Sequence, residues 1–192
     1  MAAPPSKTAR TLSGRWRLSQ RLSTPLDSFL ALQGVGWAAR KAAPLVTVTL
    51  SLREYVEAAN TEDNDQGVPY VRVDQTATLG WHLASEDRRM DWTWQQREDP
   101  VFGPLRCRAR HLDAVDEGAG VGGGSDSGTA GTKHDDEEQR RYLYGEWAEP
   151  GLVEVVQMSE AKGWESVQVW GFERIAGAVS YTHLTLPTIY SV

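Results

Sequence analysis

The sequence predicts an all-β protein: an antiparallel up-and-down β-barrel capped by a short helix–turn–helix lid. Three observations carry this. Many short stretches alternate apolar and polar residues with the period of two that a half-buried strand requires. Apolar residues at helical spacing occur in one episode, between Thr24 and Pro44. A long run of strands exposes two unpaired edges unless the sheet closes on itself, and closure into a barrel removes both. The length, 192 residues, fits one domain able to bury a core.

Taken in order, residues 1–10 read as a disordered tail, and the domain as residues 11–178. The start, Met1-Ala2-Ala3-Pro4-Pro5-Ser6-Lys7, lacks the apolar stretch of a signal peptide. Gly14-Arg15-Trp16 opens the first strand. Thr24 offers a hydroxyl N-cap and Pro25 a first helical residue whose missing N–H costs nothing, so a helix is predicted over Pro25–Gln33. Leu26, Phe29 and Leu30 form its stripe, and Gly34 ends it. A second helix, Val35–Ala42, puts Val35, Ala38, Ala39 and Ala42 on one face and stops before Pro44.

From there the period is two. Val46, Val48, Leu50 and Leu52 alternate with polar residues, as do Val71, Val73, Gln75 and Ala77 after a polar loop from Asn60 to Gly67. Ser85-Glu86-Asp87 reads as a turn. Met90, Trp92, Trp94 and Gln96 share one face of the next strand. Leu105, Cys107 and Ala109 then alternate with Arg106, Arg108 and Arg110. Residues 116–141 are glycine-rich and acidic and cannot bury enough apolar surface to order themselves, so they read as a disordered insertion. Within them His134-Asp135-Asp136-Glu137-Glu138 is a solvated charge run rather than a metal cluster. Tyr142–Trp147, Leu152–Met158 and Val167–Ile175 supply the remaining strands.

Gly34-Val35-Gly36-Trp37-Ala38-Ala39-Arg40-Lys41, following a G-x-W strand start, resembles the lid of the intracellular lipid-binding (fatty-acid-binding) proteins. Asp74-Gln75-Thr76, Trp92-Thr93-Trp94 and Gln168-Val169-Trp170-Gly171-Phe172-Glu173 resemble a group of fungal lipocalin-like proteins, some of them associated with pericyclic cyclisation. The resemblance implies a calycin-like barrel with one internal ligand, and Trp16 closing its floor. The lipid-binding family also holds an acid head group with late-strand arginines and a tyrosine, and its last-strand Arg-x-Tyr has no match here. Val179–Thr188, in turn, resembles the translation of a common transposase-type sequencing adapter. Residues 179–192 are therefore read as a non-native tail replacing the last strand. That tail alternates, and is expected to form a strand between Val167–Ile175 and the first strand, ending at Pro187.

Composition narrows the function. A net charge of −6 argues against a nucleic-acid partner. No stretch is apolar enough to span a bilayer, and the lone Cys107 excludes an internal disulfide and suits a reducing compartment, so a cytoplasmic monomer is expected. Cys107 itself reads as a buried hydrophobe, and His82 and His111 as surface residues. There is no phosphate-binding loop, dinucleotide fingerprint, metal-ligand spacing or nucleophile elbow, so neither cofactor nor catalytic residue is assigned.

What remains is a cavity for a small hydrophobic or amphipathic ligand. Trp92 and Trp94 either line it or simply fill the barrel. Arg106, Arg108 and Arg110 are solvated if they face outward, and meet a ligand carboxylate or enolate if inward. Gln75 and Trp170, with Phe29 and Trp37 from the lid, complete the candidate ligand-binding set. Two functions fit: a carrier of a fatty-acid-like or polyketide-like molecule, or a cofactor-free cyclase acting by proximity in the same cavity.

Overall fold

The computed structural model describes residues 3–4, 6–58, 67–112, 133–145, 147–148 and 151–189. The polar loop expected from Asn60 and the glycine-rich stretch up to residue 132 lie outside the described residues. Strands dominate, in two antiparallel sheets. β1 (Gly14–Arg17), β2 (Thr49–Glu57), β3 (Val68–Thr76) and β4 (His82–Arg89) make the first, in chain order. β5 (Gln95–Asp99), β6 (Gly103–Leu112), β7 (Leu152–Ser159), β8 (Trp164–Ile175) and β9 (Ala178–Ile189) make the second.

The period-two patterns decide which faces meet. Leu52, Val71 and Val73 of the first sheet join Ala109, Val153, Val155, Trp170 and Phe172 of the second in one buried core. Trp16 packs at its edge, its indole N–H donating to the Leu12 carbonyl at 2.9 Å and its ring meeting Phe172 edge-on at 5.9 Å. Leu12 is fully buried, and within the stretch expected to be a disordered tail Ala9 is 1% exposed while Pro4, Ser6 and Arg10 are exposed. Ala3 adds a backbone bond to Val179 O at 2.7 Å.

The expected closed barrel is not formed by hydrogen bonds. Among the described residues no ladder joins β4 to β5 or β1 to β9. Two physical reasons stand out. Between β4 and β5 the chain is broken at Trp92, which sits at φ 66, a left-handed conformation that no continuous strand tolerates. At the other seam β1 is four residues long and Ala3 already takes a carbonyl of β9. Side chains meet across the β1–β9 seam instead, as where Trp16 and Tyr181 lie 4.8 Å apart.

Several boundaries differ from the sequence reading. The lid helices are α1 (Asp27–Leu32) and α2 (Trp37–Ala42), shorter than expected. Thr24 does not cap, and the caps are Leu26 and Gly36, without side-chain bonds. Asp27 instead ties the two helices together, 3.4 Å from Lys41 Nζ and 3.9 Å from Arg40 Nε. Gly34 ends the first helix at φ 75 as its position demands. Ser85-Glu86-Asp87 is not a turn but the middle of β4, and the chain reverses earlier, at Thr78–Gly80.

Tyr142–Tyr144, expected in a strand, ends a helix, α3 (Lys133–Tyr144). Its C-terminal Leu143 packs with Leu152, Val169 and Trp147 on the outer face of the second sheet, and that contact rather than any stripe along the helix holds it there. β9 pairs with β8 along its length but makes no ladder with β1, and it runs past Pro187 to Ile189. A proline is tolerated there because β9 is an edge strand, where a missing N–H can face away from the ladder. No helix among the described residues is long and apolar enough to cross a membrane.

Candidate ligand site between the sheets

The inner face of the second sheet changes character along its length. Ladder partners on adjacent strands share a face, so the register reads as rows. One row, His111–Val153–Trp170, and the next, Ala109–Val155–Gln168, are mostly apolar. The third, Cys107–Gln157–Ser166, and the fourth, where Ser159 stands opposite Trp164, are polar. Phe102, in the β5–β6 turn, packs edge-on to Trp164 at 5.4 Å. The lid reaches this end: a Cβ added at Gly34 would stand 3.4 Å from Lys162 Cδ in the β7–β8 turn. Gln33, beside it, is 2% exposed.

The first sheet contributes charge to the same interior. Glu86 and Arg88 face Val73 and Val71 across the β3–β4 ladder, so they lie on the core side, with side chains 4% and 6% exposed. A buried charge of this kind persists only when paired. Arg88 Nε donates to Glu86 Oε1 at 2.8 Å, and Nη2 reaches the same oxygen. Arg97 Nη1 lies 3.0 Å from Glu86 Oε2 and 3.4 Å from Asp99 Oδ2. The hydrogen-bond network assigns the Gln157 amide oxygen toward Arg88 Nη2 at 3.0 Å and Arg97 Nη2 at 3.2 Å. The Arg88 guanidinium also lies 4.7 Å from the Trp170 ring centroid, a cation–π contact in a desolvated setting.

Ser159 Oγ, Trp164 Nε1 and Ser166 Oγ have no hydrogen-bond partner here, nor do Arg88 Nη1 and Arg97 Nε in the charge cluster or the Gln33 Oε1 acceptor under the lid. Ser159, Trp164 and Ser166 are each 1% exposed. Cys107 is buried beside this cluster, and burial pushes its thiol up, away from the reactive thiolate. Next to Trp170, half-buried His183 stacks on the indole at 4.6 Å. Desolvation, with Arg88 nearby, holds its imidazole down at about 3, so it is neutral in ordinary conditions.

The sequence-predicted residues divide. Gln75, half-buried, is on the inner face of β3 between Leu50 and Ala84, and Trp170 is enclosed at 1% exposure. Phe29 is half-buried in α1, whereas Trp37 is 68% exposed and does not line the interior. Trp92 and Trp94 do not face the cavity. They stack with Arg106, Arg108 and Arg110 on the opposite face of β6 from Leu105, Cys107 and Ala109. Arg108 lies 4.1 Å from the Trp92 centroid and 4.5 Å from that of Trp94. Arg110 Nε meets Glu154 Oε2 at 2.6 Å and Arg106 Nη1 meets Glu160 Oε1 at 3.0 Å, which neutralises two of the three arginines on the face turned away from the core. The break at Trp92 is the cause, because it turns the indoles out of the strand's alternation.

Sequence reasoning missed Glu86, Arg88, Arg97, Gln157, Ser159, Trp164 and Ser166. One signal was available for the first two: opposite charges two residues apart on a strand share a face and can neutralise each other inside. No cluster of metal-ligating side chains occurs among the described residues.

No family model matches the chain. It is 26% identical over 186 residues to a protein of Mollisia scopiformis named probable pericyclase scpY, covering 94% of this chain and 84% of that one. It is 25% identical over 122 residues to pericyclase pydY of an Acremonium species, covering 61% of this chain and 63% of that one. Among solved structures, a REP1-NXSQ fatty acid transporter overlays with a TM-score of 0.38 at 13% identity, covering 96% of this chain and 99% of that one.

Proposed function

We propose that this protein takes a small, largely apolar molecule between its two sheets in a lipocalin-like arrangement and promotes its cofactor-free cyclisation there. The observation that carries the reading is the mixed interior: apolar contact around Leu12, Trp16 and Phe172, and buried, unpartnered polar groups on Arg88, Ser159, Trp164 and Ser166. A pericyclic step needs no nucleophile and no proton relay. It needs a substrate folded so that its reacting carbons are close, and a donor that polarises an attached carbonyl as the bonds form. An enclosed apolar wall supplies the first and the Arg88 end the second. The relatives named pericyclases, one of them aligned over nearly the whole chain, support the same reaction class.

A second reading, a carrier that holds such a ligand unchanged, is favoured by the pairing of Arg88 and Arg97 to Glu86, which damps their pull on a reacting carbonyl. Residues 179–192, with their adapter-like sequence, enter neither reading, since every polar group invoked precedes Val179. The test is catalysis itself. A linear ester carrying a diene and an activated alkene on one chain is incubated with and without the protein. Faster conversion with one diastereomer enriched is expected. An uncatalysed rate and an unchanged diastereomer ratio, with the ester nevertheless bound, leave the carrier reading and overturn the cyclase.

A further inference from the structure

The unpartnered groups at the lid end specify more than a general preference for apolar ligands. Arg88 Nη1 and Trp164 Nε1 can only donate hydrogen bonds, and the hydroxyls of Ser159 and Ser166 are free to donate. The ladder register brings them together. Gln157, which receives Arg88, is the direct cross-strand partner of Ser166, and Ser159 is that of Trp164. Ser159 and Trp164 follow on the same faces of β7 and β8, two residues from Gln157 and Ser166 respectively. A buried donor left unpaired costs on the order of 1–3 kcal/mol, and several in one place are retained most simply if something absent from the protein accepts from them. Charge decides what that is. Arg88 and Arg97 are matched by Glu86 and Asp99, so the interior carries no surplus positive charge to neutralise an incoming anion.

Resting on the ligand-binding reading above, we infer that Arg88, Ser159, Trp164 and Ser166 form a head-group site for neutral carbonyl oxygens, as in a ketone, ester or amide, and discriminate against a carboxylate. A carbonyl accepts two hydrogen bonds through its lone pairs without bringing charge into a balanced, desolvated end. A carboxylate would lose its hydration with no uncommitted cation to meet it. The same donors that choose the carbonyl then polarise it, Arg88 from a guanidinium already held over Trp170 and tied to Glu86.

The experiment compares cis-parinaric acid with its methyl ester at neutral pH, by the fluorescence gain of the polyene on entering an apolar site. In the wild-type protein the ester is expected to bind at least about 10-fold more tightly than the acid. Ser166→Ala and Trp164→Phe are expected to weaken the ester by about 5-fold each, as for the loss of one hydrogen bond, without lowering the melting temperature, since each removes a polar group that is unpaired in the free protein. A merely structural role for these residues would shift stability and leave the ester-to-acid ratio alone. If the acid binds as tightly as the ester, or if both variants keep the wild-type preference, the head-group assignment is overturned while ligand binding between the sheets stands. If neither probe binds, both readings fall together.

Discussion

Glu86→Gln isolates the charge arrangement at the centre of the molecule. The glutamate is the shared anion of two guanidiniums, with its side chain 4% exposed, beside Arg88 at 6% and Arg97 at 20%. Glutamine keeps the shape but presents an amide N–H₂ to one guanidinium and no charge to either. Removing one partner from a buried ion pair costs about 3–5 kcal/mol, because the other charge is left uncompensated. For a domain of this size each kcal/mol lowers the melting temperature by about 2–4 °C, so a fall of about 6–20 °C is expected by calorimetry. The companion is Glu86→Leu/Arg88→Met/Arg97→Met, which removes the whole set. Apolar replacement of a complete buried pair is often neutral, and Asp99 keeps acceptors' work by receiving the Val101 and Phe102 N–H groups at 2.8 and 3.0 Å. That triple variant is expected to melt near the wild type while losing the ester preference. A shift below about 2 °C for Glu86→Gln, or a triple variant as unstable as the single one, would refute the argument that these charges are buried and interdependent.

Gly171→Ala is expected to destabilise by about 1–3 kcal/mol through overpacking, because its Cβ would stand 2.6 Å from both Leu152 Cδ2 and Trp147 Cε3; urea unfolding measures it, and a Trp147→Leu background should absorb most of the loss. Arg108→Ala removes a guanidinium stacked on Trp92 and Trp94 outside the core, so probe affinity should stay within about 2-fold while stability falls by about 1–2 kcal/mol. For His183 the sign follows from a folded pKa of about 3, below the usual 6.5. The unfolded chain takes up a proton first, so this contribution to stability is intact above pH 6.5 and lost progressively between 6.5 and 3. His183→Phe should flatten the acid side of the melting profile, and an unchanged slope would remove the histidine as its source.

Much of the fold was legible because local and global preferences agree. Val71 and Val73 place their strand and its inner face from sequence alone, and the alternation of Leu105, Cys107 and Ala109 with arginines places a strand, whose inward face the sequence left open. Gly34 marks the end of the first lid helix, and Trp16 its place against the core. The failures have identifiable physical causes. Ser85-Glu86-Asp87 has the composition of a turn, and that glutamate is buried between Arg88, two residues on, and Arg97, eleven residues on, a pairing that only the fold completes. Trp92 carries no local signal for φ 66, so the strand pattern through Trp94 ran on past a real break and put both indoles on the wrong side. α3 is polar almost throughout, and its place depends on contacts of Leu143 and Trp147 that lie far away in sequence. The candidate site was the least legible part, because its residues come from β4, β5, β7 and β8 and become neighbours only through the ladder register.

The proposed site would give a bound ligand a direction. Leu12, Trp16 and Phe172 offer only apolar contact, worth about 25 cal/mol per Å² of ligand surface removed from water. Arg88, Ser159, Trp164 and Ser166 offer donors. In the proposed reading a molecule with one polar end lies with its hydrocarbon toward Trp16 and its carbonyl toward these donors, because the reverse orientation would both bury an unpaired carbonyl and leave the donors unmet. Orientation of this kind separates folding a substrate for reaction from merely absorbing it. In the proposed reading a carbonyl held by these donors fixes one end of the attached chain, so the polar groups choose the molecule and the apolar residues around Phe172 shape it.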